Sequence, residues 1–141
     1  MKITIADRLE IEDLAARYNL AIDLGDADSW VSCFCAGGEL IIDKTGEWSS
    51  SVLGLAEGRW RGASELHGFA AGLATGPQFR HWSYNRVLTP ADGGIESVSY
   101  MNVYYLQLPA GDQLLTGVMR DRLVHGETGW KFASRRIEFD R

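Results

Sequence analysis

The sequence has few of the residues from which metal and cofactor sites are usually built. Its 141 residues include only two cysteines and three histidines. Cys33 and Cys35 flank a single residue, a spacing that fits neither a Cys-x-x-Cys site nor a disulfide. No histidine lies in a zinc-binding motif, and no glycine-rich phosphate loop follows an expected strand. We therefore expect no metal site and no cofactor.

Positive charge and long apolar runs are also scarce. The formal net charge is −5 at pH 7, and no run of lysine or arginine is present. This balance argues against nucleic acid or an anionic membrane surface as a partner. No apolar stretch approaches the roughly 20 residues that span a bilayer, and the N-terminus lacks the apolar core of a signal peptide. We expect a cytoplasmic protein.

The first half of the chain is predicted to be mainly helical. Hydrophobic residues make up 45% of the sequence without any low-complexity tract, which indicates one domain over 1–141. Asp7 and Glu10 form a helix-start signal, and apolar residues then recur at helical spacing until Gly25. These residues are Ile11, Leu14, Ala15, Tyr18 and Ile22.

Shorter elements are predicted to follow the first helix. Asp26 to Asp28 can cap a second helix that carries Trp30 and Phe34 on one face. A strand over 39–43, a serine- and glycine-rich segment over 46–58 and a short strand at 59–61 come next. Ser64 is expected to cap a third helix, which ends at Gly72 to Gly76.

The second half of the chain reads as four extended runs joined by turns. The runs cover about 80–89, 95–108, 113–125 and 129–139. Helices in one half and an antiparallel meander in the other predict an α+β domain. We expect helices packed on a strongly curved mixed or antiparallel sheet that forms a cone with an internal pocket.

Strict alternation along each strand predicts which side chains point into the cone. It places His81 and Asn85 on one face and Arg86 on the other. On the last two predicted strands, Asp121 and Arg135 are expected to face inward, where they could form an ion pair.

Asp23 occupies an unfavourable position at the end of the first helix. The last carbonyl groups of a helix carry partial negative charge, so a carboxylate there costs roughly 0.3–1 kcal/mol unless a donor or cation lies beside it. His81, at the start of the strand-rich half, is the best placed of the three histidines. Asp23 and His81 are therefore a candidate dyad.

These residues resemble a known family. The segment Tyr18 to Trp30, then Arg80-His81 with Asn85, then Gly129 to Phe132 before Arg135, is similar to the SnoaL-like branch of the nuclear transport factor 2-like superfamily. The resemblance runs over nearly the whole chain. Members of this family include dehydratases, a dehydrochlorinase, isomerases, polyketide cyclases and non-catalytic small subunits of ring-hydroxylating dioxygenases. The fold alone therefore does not select a reaction.

The resemblance implies roles for particular residues. Eliminating members have an aspartate at the end of the first helix and a histidine on the following long strand, here Asp23 and His81. Bile-acid dehydratases add a tyrosine five residues before the aspartate, here Tyr18. The second active-site histidine of scytalone-type dehydratases has no counterpart in the strand around 99–104.

The implied activity is that of a cofactor-free lyase or isomerase acting on a small hydrophobic cyclic or polyketide-like compound. His81 would be the base, Asp23 would fix its tautomer, and Tyr18 would donate a proton. Elimination, isomerisation and cyclisation remain open, because elimination and isomerisation begin with the same proton abstraction. The candidate substrate-binding residues are Trp30, Phe34, Asn85, Tyr100, Asn102, Met119, Asp121 and Arg135.

A non-catalytic ligand-binding or scaffold subunit, with its cone filled by side chains, is the alternative. Each site residue also has a structural interpretation: Asp23 as a turn residue, His81 as a core histidine and Tyr18 as packing. For either function we expect a homodimer formed through the outer sheet face. The outer residues expected to be buried in it are Trp82, Tyr84, Val118 and Trp130.

Overall fold

The computed structural model describes residues 1–45, 55–109 and 111–140. Most of the predicted serine- and glycine-rich segment therefore lies outside the described residues. The described helices are α1 (Ile5–Asp23), α2 (Ala27–Val31) and α3 (Gly62–Leu73). The described strands are β1 (Phe34–Lys44), β2 (Gly58–Arg61), β3 (Phe79–Ala91), β4 (Gly94–Tyr105), β5 (Gln113–Gly126) and β6 (Gly129–Phe139).

The six described strands form one mixed sheet in the order β2-β1-β6-β5-β4-β3. Strands β3 to β6 make the predicted antiparallel meander, and β1 adds to it parallel to β6. The helices pack on this curved sheet, which confirms the predicted α+β class. Strand β1 begins earlier than predicted: Phe34, expected on the second helix, is already paired with Phe132 of β6.

Helix α1 begins at Ile5, two residues before the predicted start. Thr4 is its N-cap: its hydroxyl accepts from the Asp7 amide, and the Asp7 carboxylate accepts from the Thr4 amide at 2.8 Å. This reciprocal capping box satisfies amides that the helix itself leaves unpaired. The predicted apolar stripe is buried, as the sequence indicated. No described helix combines the length and apolar character needed to cross a membrane.

Helix α3 begins three residues earlier than a Ser64 cap predicts, and Ser64 lies within the helix. The Glu65 side chain reaches back and accepts from the Arg61 amide at 2.7 Å, which makes Arg61 the N-cap residue. Leu66 and Ala70 are buried on the sheet side of this helix.

A β-bulge in β3 reverses the predicted faces of its second half. Tyr84 pairs with Tyr100 and Val87 with Val98, so that Asn85 and Arg86 together face a single residue of β4. Asn85 has a φ of 55°, a left-handed conformation that asparagine tolerates better than most residues. The alternation restarts one residue out of step, and the prediction that Asn85 points inward and Arg86 outward is wrong.

A second bulge, in β6, changes the faces at the other end of the sheet. Ser134 pairs with Arg122 and Phe132 with Leu123, which leaves Ala133 without a partner on β5. Trp130 and Phe132 consequently point inward and are buried. The Trp130 indole donates to Asp7 Oδ1 at 3.0 Å, so the prediction that Trp130 lies on the outer face is wrong.

Candidate active site

The end of α1 is fixed by a hydrogen-bonded C-terminal motif. Gly25 adopts a left-handed conformation with a φ of 72°, and its amide donates to the Ile22 carbonyl at 3.3 Å. The Asp26 amide donates to the Ala21 carbonyl at 2.9 Å. This pattern is a Schellman motif, in which glycine is favoured because it has no Cβ. The motif holds Asp23 in the last turn of the helix.

Asp23 binds His81 through both the side chain and the backbone. The Asp23 Oδ1 atom lies 2.6 Å from His81 Nδ1, and Oδ2 accepts from the His81 amide at 2.9 Å. The two side chains are only 6% and 14% exposed. An ionised carboxylate can only accept, so Nδ1 carries a proton, and in the neutral ring Nε2 keeps its lone pair. The contact expected from the sequence is therefore present, and it fixes the orientation of the ring.

His81 lies in the wall of a largely enclosed cavity between the helices and the sheet. The volume open to the centre of a water molecule is about 30 Å³, enough for roughly two waters. Of the described lining residues, Tyr18, His81 and Tyr105 carry polar side-chain atoms. The apolar ones are Ile22, Leu40, Ile42, Leu55, Phe69, Leu73, Phe79, Met101, Val103, Ile137 and Phe139.

Tyr18 lies between this cavity and a buried cation. The Arg135 guanidinium carbon is 4.2 Å from the centre of the Tyr18 ring, a cation–π distance. Burial raises the pKa of the Tyr18 hydroxyl, and the positive charge of Arg135 opposes this shift. Trp30 and Phe34 pack against Tyr18 with ring centres 5.3 and 6.0 Å away. They are buried core residues, and neither is among the described residues of the cavity wall.

Beneath Tyr18, Asp121 and Arg135 form the ion pair that the sequence suggested. Arg135 donates from Nε and Nη2 to the two carboxylate oxygens, each at 2.8 Å, and both side chains are fully buried. Burial opposes the charge of Arg135, but the Asp121 carboxylate raises its pKa above the ordinary value. The pair lies behind Tyr18 and does not line the cavity.

Arg86 joins this pair because of the β3 bulge. Its Nη1 atom donates to Ser97 Oγ at 3.1 Å and lies 3.5 Å from Asp121 Oδ2, while Nε is 3.1 Å from Glu12 Oε1. Burial lowers the pKa of Arg86, and so does the charge of Arg135, whereas Asp121 and Glu12 raise it. Asp121 therefore compensates two buried guanidinium groups.

Several predicted substrate-binding residues lie away from the cavity. On β4 the inward set is Met101, Val103 and Tyr105, so Tyr100 and Asn102 point to the outer face. Asn102 accepts from the Tyr84 hydroxyl there. Asn85 is exposed at the bulge, and Met119 is a core residue outside the described cavity wall.

Sequence reasoning missed two residues that the structure brings to this region. Arg86 could not be found by strict alternation, because the bulge is invisible to that rule. Tyr105 could have been found: Glu96 marks the even-numbered set of β4 as solvent-facing, which turns Tyr105 inward. Within residues 1–45, 55–109 and 111–140, no group of three His, Cys, Asp or Glu side chains is arranged to hold a metal ion.

Tyr105 makes the stability of the protein sensitive to alkaline pH. Burial raises the pKa of this hydroxyl to about 12, against about 10 in an unfolded chain. The contribution of Tyr105 to the free energy of unfolding is fully present below pH 10. As the pH rises from 10 towards 12, the free energy of unfolding falls by about 2–3 kcal/mol. We expect Tyr105→Phe to match the native protein in urea unfolding at pH 8 and to lose less stability between pH 10 and 12. Parallel losses in the two proteins would contradict this assignment.

Comparison with known proteins shows relatives along nearly the whole chain. The family model for the SnoaL-like domain matches residues 4–136. Comparison with curated protein sequences gives no match. A variant of Rv3472, a protein of unknown function from Mycobacterium tuberculosis, has a similar structure, with a TM-score of 0.82 and 25% identity. That alignment covers 98% of this chain and 79% of the other.

Two further solved structures share the architecture. One is a protein of unknown function with a cystatin-like fold from Nostoc punctiforme, at 24% identity and a TM-score of 0.77, covering 99% of this chain and 96% of the other. The other is a proposed scytalone dehydratase from Novosphingobium aromaticivorans, at 15% identity and a TM-score of 0.78, covering 97% and 86%. At these identities the likeness shows a common fold.

Proposed function

The chain belongs to the family of SnoaL-like domains, and we propose that it is a cofactor-independent lyase or isomerase acting on a small hydrophobic cyclic compound. One observation carries the proposal: a single carboxylate holds the ring and the amide of His81 at the wall of an enclosed apolar cavity. This arrangement supplies an oriented imidazole in a largely enclosed, apolar site. The description of the Novosphingobium neighbour agrees with dehydration as one such reaction.

In the proposed reaction His81 Nε2 takes a proton from the carbon next to a carbonyl group. The electron pair of that C–H bond forms an enolate. In elimination, this electron pair then forms the new C=C double bond. The hydroxyl group on the neighbouring carbon takes a proton from Tyr18 and leaves as water. The proton on His81 returns through solvent to the Tyr18 phenolate. In isomerisation the same enolate is reprotonated on carbon.

The size of the cavity sets a condition on this reaction. Space for about two waters is too small for a six-membered ring. Phe69 and Leu73 of α3 are the partly exposed apolar residues of the described wall, so a ring enters by displacing their side chains. Interiors as close-packed as this one resist such displacement, which favours compact substrates.

The same small volume favours a second candidate function, a non-catalytic ligand-binding or scaffold subunit. Deuterium exchange separates the two candidates. Cyclohexanone, 2-tetralone and 3-hydroxycyclohexanone are incubated with the protein in D₂O and followed by NMR. The enzyme accelerates exchange of the protons next to the carbonyl or converts the hydroxyketone to cyclohex-2-enone. Ketones that bind without exchange above that seen with His81→Gln support the non-catalytic function.

We also propose that the outer sheet face pairs with a second copy of the chain. Six apolar side chains on this face are between 39% and 64% exposed: Trp82, Tyr84, Val87, Val98, Tyr100 and Leu114. Together they present on the order of 500 Å² of apolar surface. A standard interface buries about 800 Å² per partner, of which roughly 65% is apolar in homodimers, so the area fits one isologous dimer.

We expect the native protein to sediment with the mass of two chains. A two-fold interface contains each substitution twice, so Trp82→Arg would place two buried charges in it and prevent the dimer from forming. The variant should therefore sediment with the mass of one chain. Leu20→Arg, on an exposed leucine of α1, is the matched control and should leave the dimer intact. Sedimentation velocity measures both. A native protein that remains a monomer at high concentration would contradict the dimer.

A further inference from the structure

Tyr105 lies on the same face of the sheet as His81, on the neighbouring strand. Val103 of β4 is the register partner of His81, and Tyr105 is the partner of Phe79. The Phe79 ring packs against both, with its centre 5.2 Å from the His81 ring and 5.7 Å from the Tyr105 ring. Phe79 therefore contacts both a base and a phenol that line one cavity.

The Tyr105 hydroxyl has no evident structural task. Its side chain is buried, yet no hydrogen bond joins it to another residue in the described part of the chain. Burial alone raises its pKa, so the group stays protonated at neutral pH and is available as a donor.

The chemistry of the cavity wall indicates what this donor would bind. The described lining carries no lysine or arginine, and Arg135 lies behind the Tyr18 ring. A carboxylate or phosphate would enter this apolar wall without a cation, at a large desolvation cost. A neutral carbonyl oxygen needs only a hydrogen-bond donor.

We propose that Tyr105 donates the hydrogen bond that binds the carbonyl oxygen of a neutral cyclic ketone while His81 removes the neighbouring proton. This assignment rests on the proposed function and adds a catalytic residue to it. As the proton leaves carbon, negative charge moves onto the carbonyl oxygen, where a donor already in place stabilises it.

The two tyrosines then have different tasks. Burial raises the pKa of Tyr18 although the Arg135 cation stacked on its ring opposes this shift, and the proposed function assigns Tyr18 the proton for the departing hydroxyl group. No described residue opposes burial at Tyr105, which suits it to hold its proton and donate a hydrogen bond. One cavity thus contains a base, a proton donor and an oxyanion donor.

Isotope-edited infrared spectroscopy tests this assignment directly. Cyclohex-2-enone labelled with ¹³C at the carbonyl is bound to the native protein, and a hydrogen bond moves its carbonyl band to lower wavenumber. We expect Tyr105→Phe to lose most of this shift, and Tyr18→Phe and His81→Gln to keep it. With cyclohexanone in D₂O, we expect Tyr105→Phe to slow exchange by roughly 10²–10³-fold.

The outcomes separate this inference from the proposed function. A band shift that disappears in Tyr105→Phe, without exchange in the native protein, supports the binding role and contradicts the enzyme. Exchange at equal rates in the native protein and in folded Tyr105→Phe overturns the role of Tyr105 and leaves the enzyme intact. Failure of the enone to bind, or a band shift retained in Tyr105→Phe, also overturns it. Urea unfolding at pH 8 establishes that the variant is folded.

Discussion

We expect Asp121→Asn to lower the free energy of unfolding by about 3–5 kcal/mol. The Asp121 carboxylate receives both hydrogen bonds of Arg135 and lies 3.5 Å from Arg86, and all three side chains are almost completely buried. Asparagine has one acceptor oxygen and no charge, so Arg135 would remain in the interior without a carboxylate partner and Arg86 would keep only Glu12. Domains of this size have only about 5–15 kcal/mol of stability in total. Urea unfolding measures the loss.

The chain provides a matched control for this substitution. Asp43 forms an ion pair with Arg136 at 2.7 Å, but the two side chains are 49% and 39% exposed. Asp43→Asn therefore removes the same charge at a similar distance and should cost less than about 1 kcal/mol. Equal losses in the two variants would mean that burial of the Asp121 cluster does not have the energetic effect argued for it.

The second large effect concerns the dyad. We expect His81→Gln to lower the rate of ketone proton exchange by roughly 10²–10⁴-fold, because glutamine has no basic nitrogen. Asp23→Asn should cause a loss of similar size for a different reason. The asparagine oxygen must accept from the His81 amide, so its NH₂ group faces Nδ1 and forces the proton onto Nε2. The base is then blocked while the ring remains in place.

His67 provides the control for this pair. It lies 3.3 Å from Asp28 at the surface, where both side chains are largely exposed. His67→Gln should leave the exchange rate unchanged. The double variant of Asp23 and His81 should be no slower than His81→Gln alone, since residues that act as a unit are strongly non-additive. Additive losses would contradict a functional dyad.

The fold was accessible from the sequence because its signals are local and repeated. The apolar stripe of α1, the turn residues between the last four strands and the change from helical to extended patterning each depend on near neighbours. The exact starts of α1 and α3 could not be predicted from the sequence, because capping by Asp7 and Glu65 depends on side chains that reach back along the chain.

The site residues could be predicted from the sequence only where a side chain occupied an electrostatically unfavourable position. Asp23 was found because a carboxylate at a helix C-terminus requires a donor, and His81 supplies two. The prediction of the pocket residues depended on knowing which face of each strand points inward. One extra residue in β3 is enough to turn Arg86 inward in place of Asn85. The volume of the cavity follows from packing among side chains far apart in sequence, which no local pattern encodes.

The tautomer of His81 is the most direct test of an oriented base. Long-range ¹H–¹⁵N correlation spectra at pH 8 distinguish protonated from unprotonated ring nitrogens, and three histidines keep the assignment simple. In the native protein we predict that His81 carries its proton on Nδ1 and that Nε2 is bare. In Asp23→Asn the proton should move to Nε2. A native His81 with its proton on Nε2 would contradict the dyad, and with it the proposal that this residue removes a proton from a bound ketone.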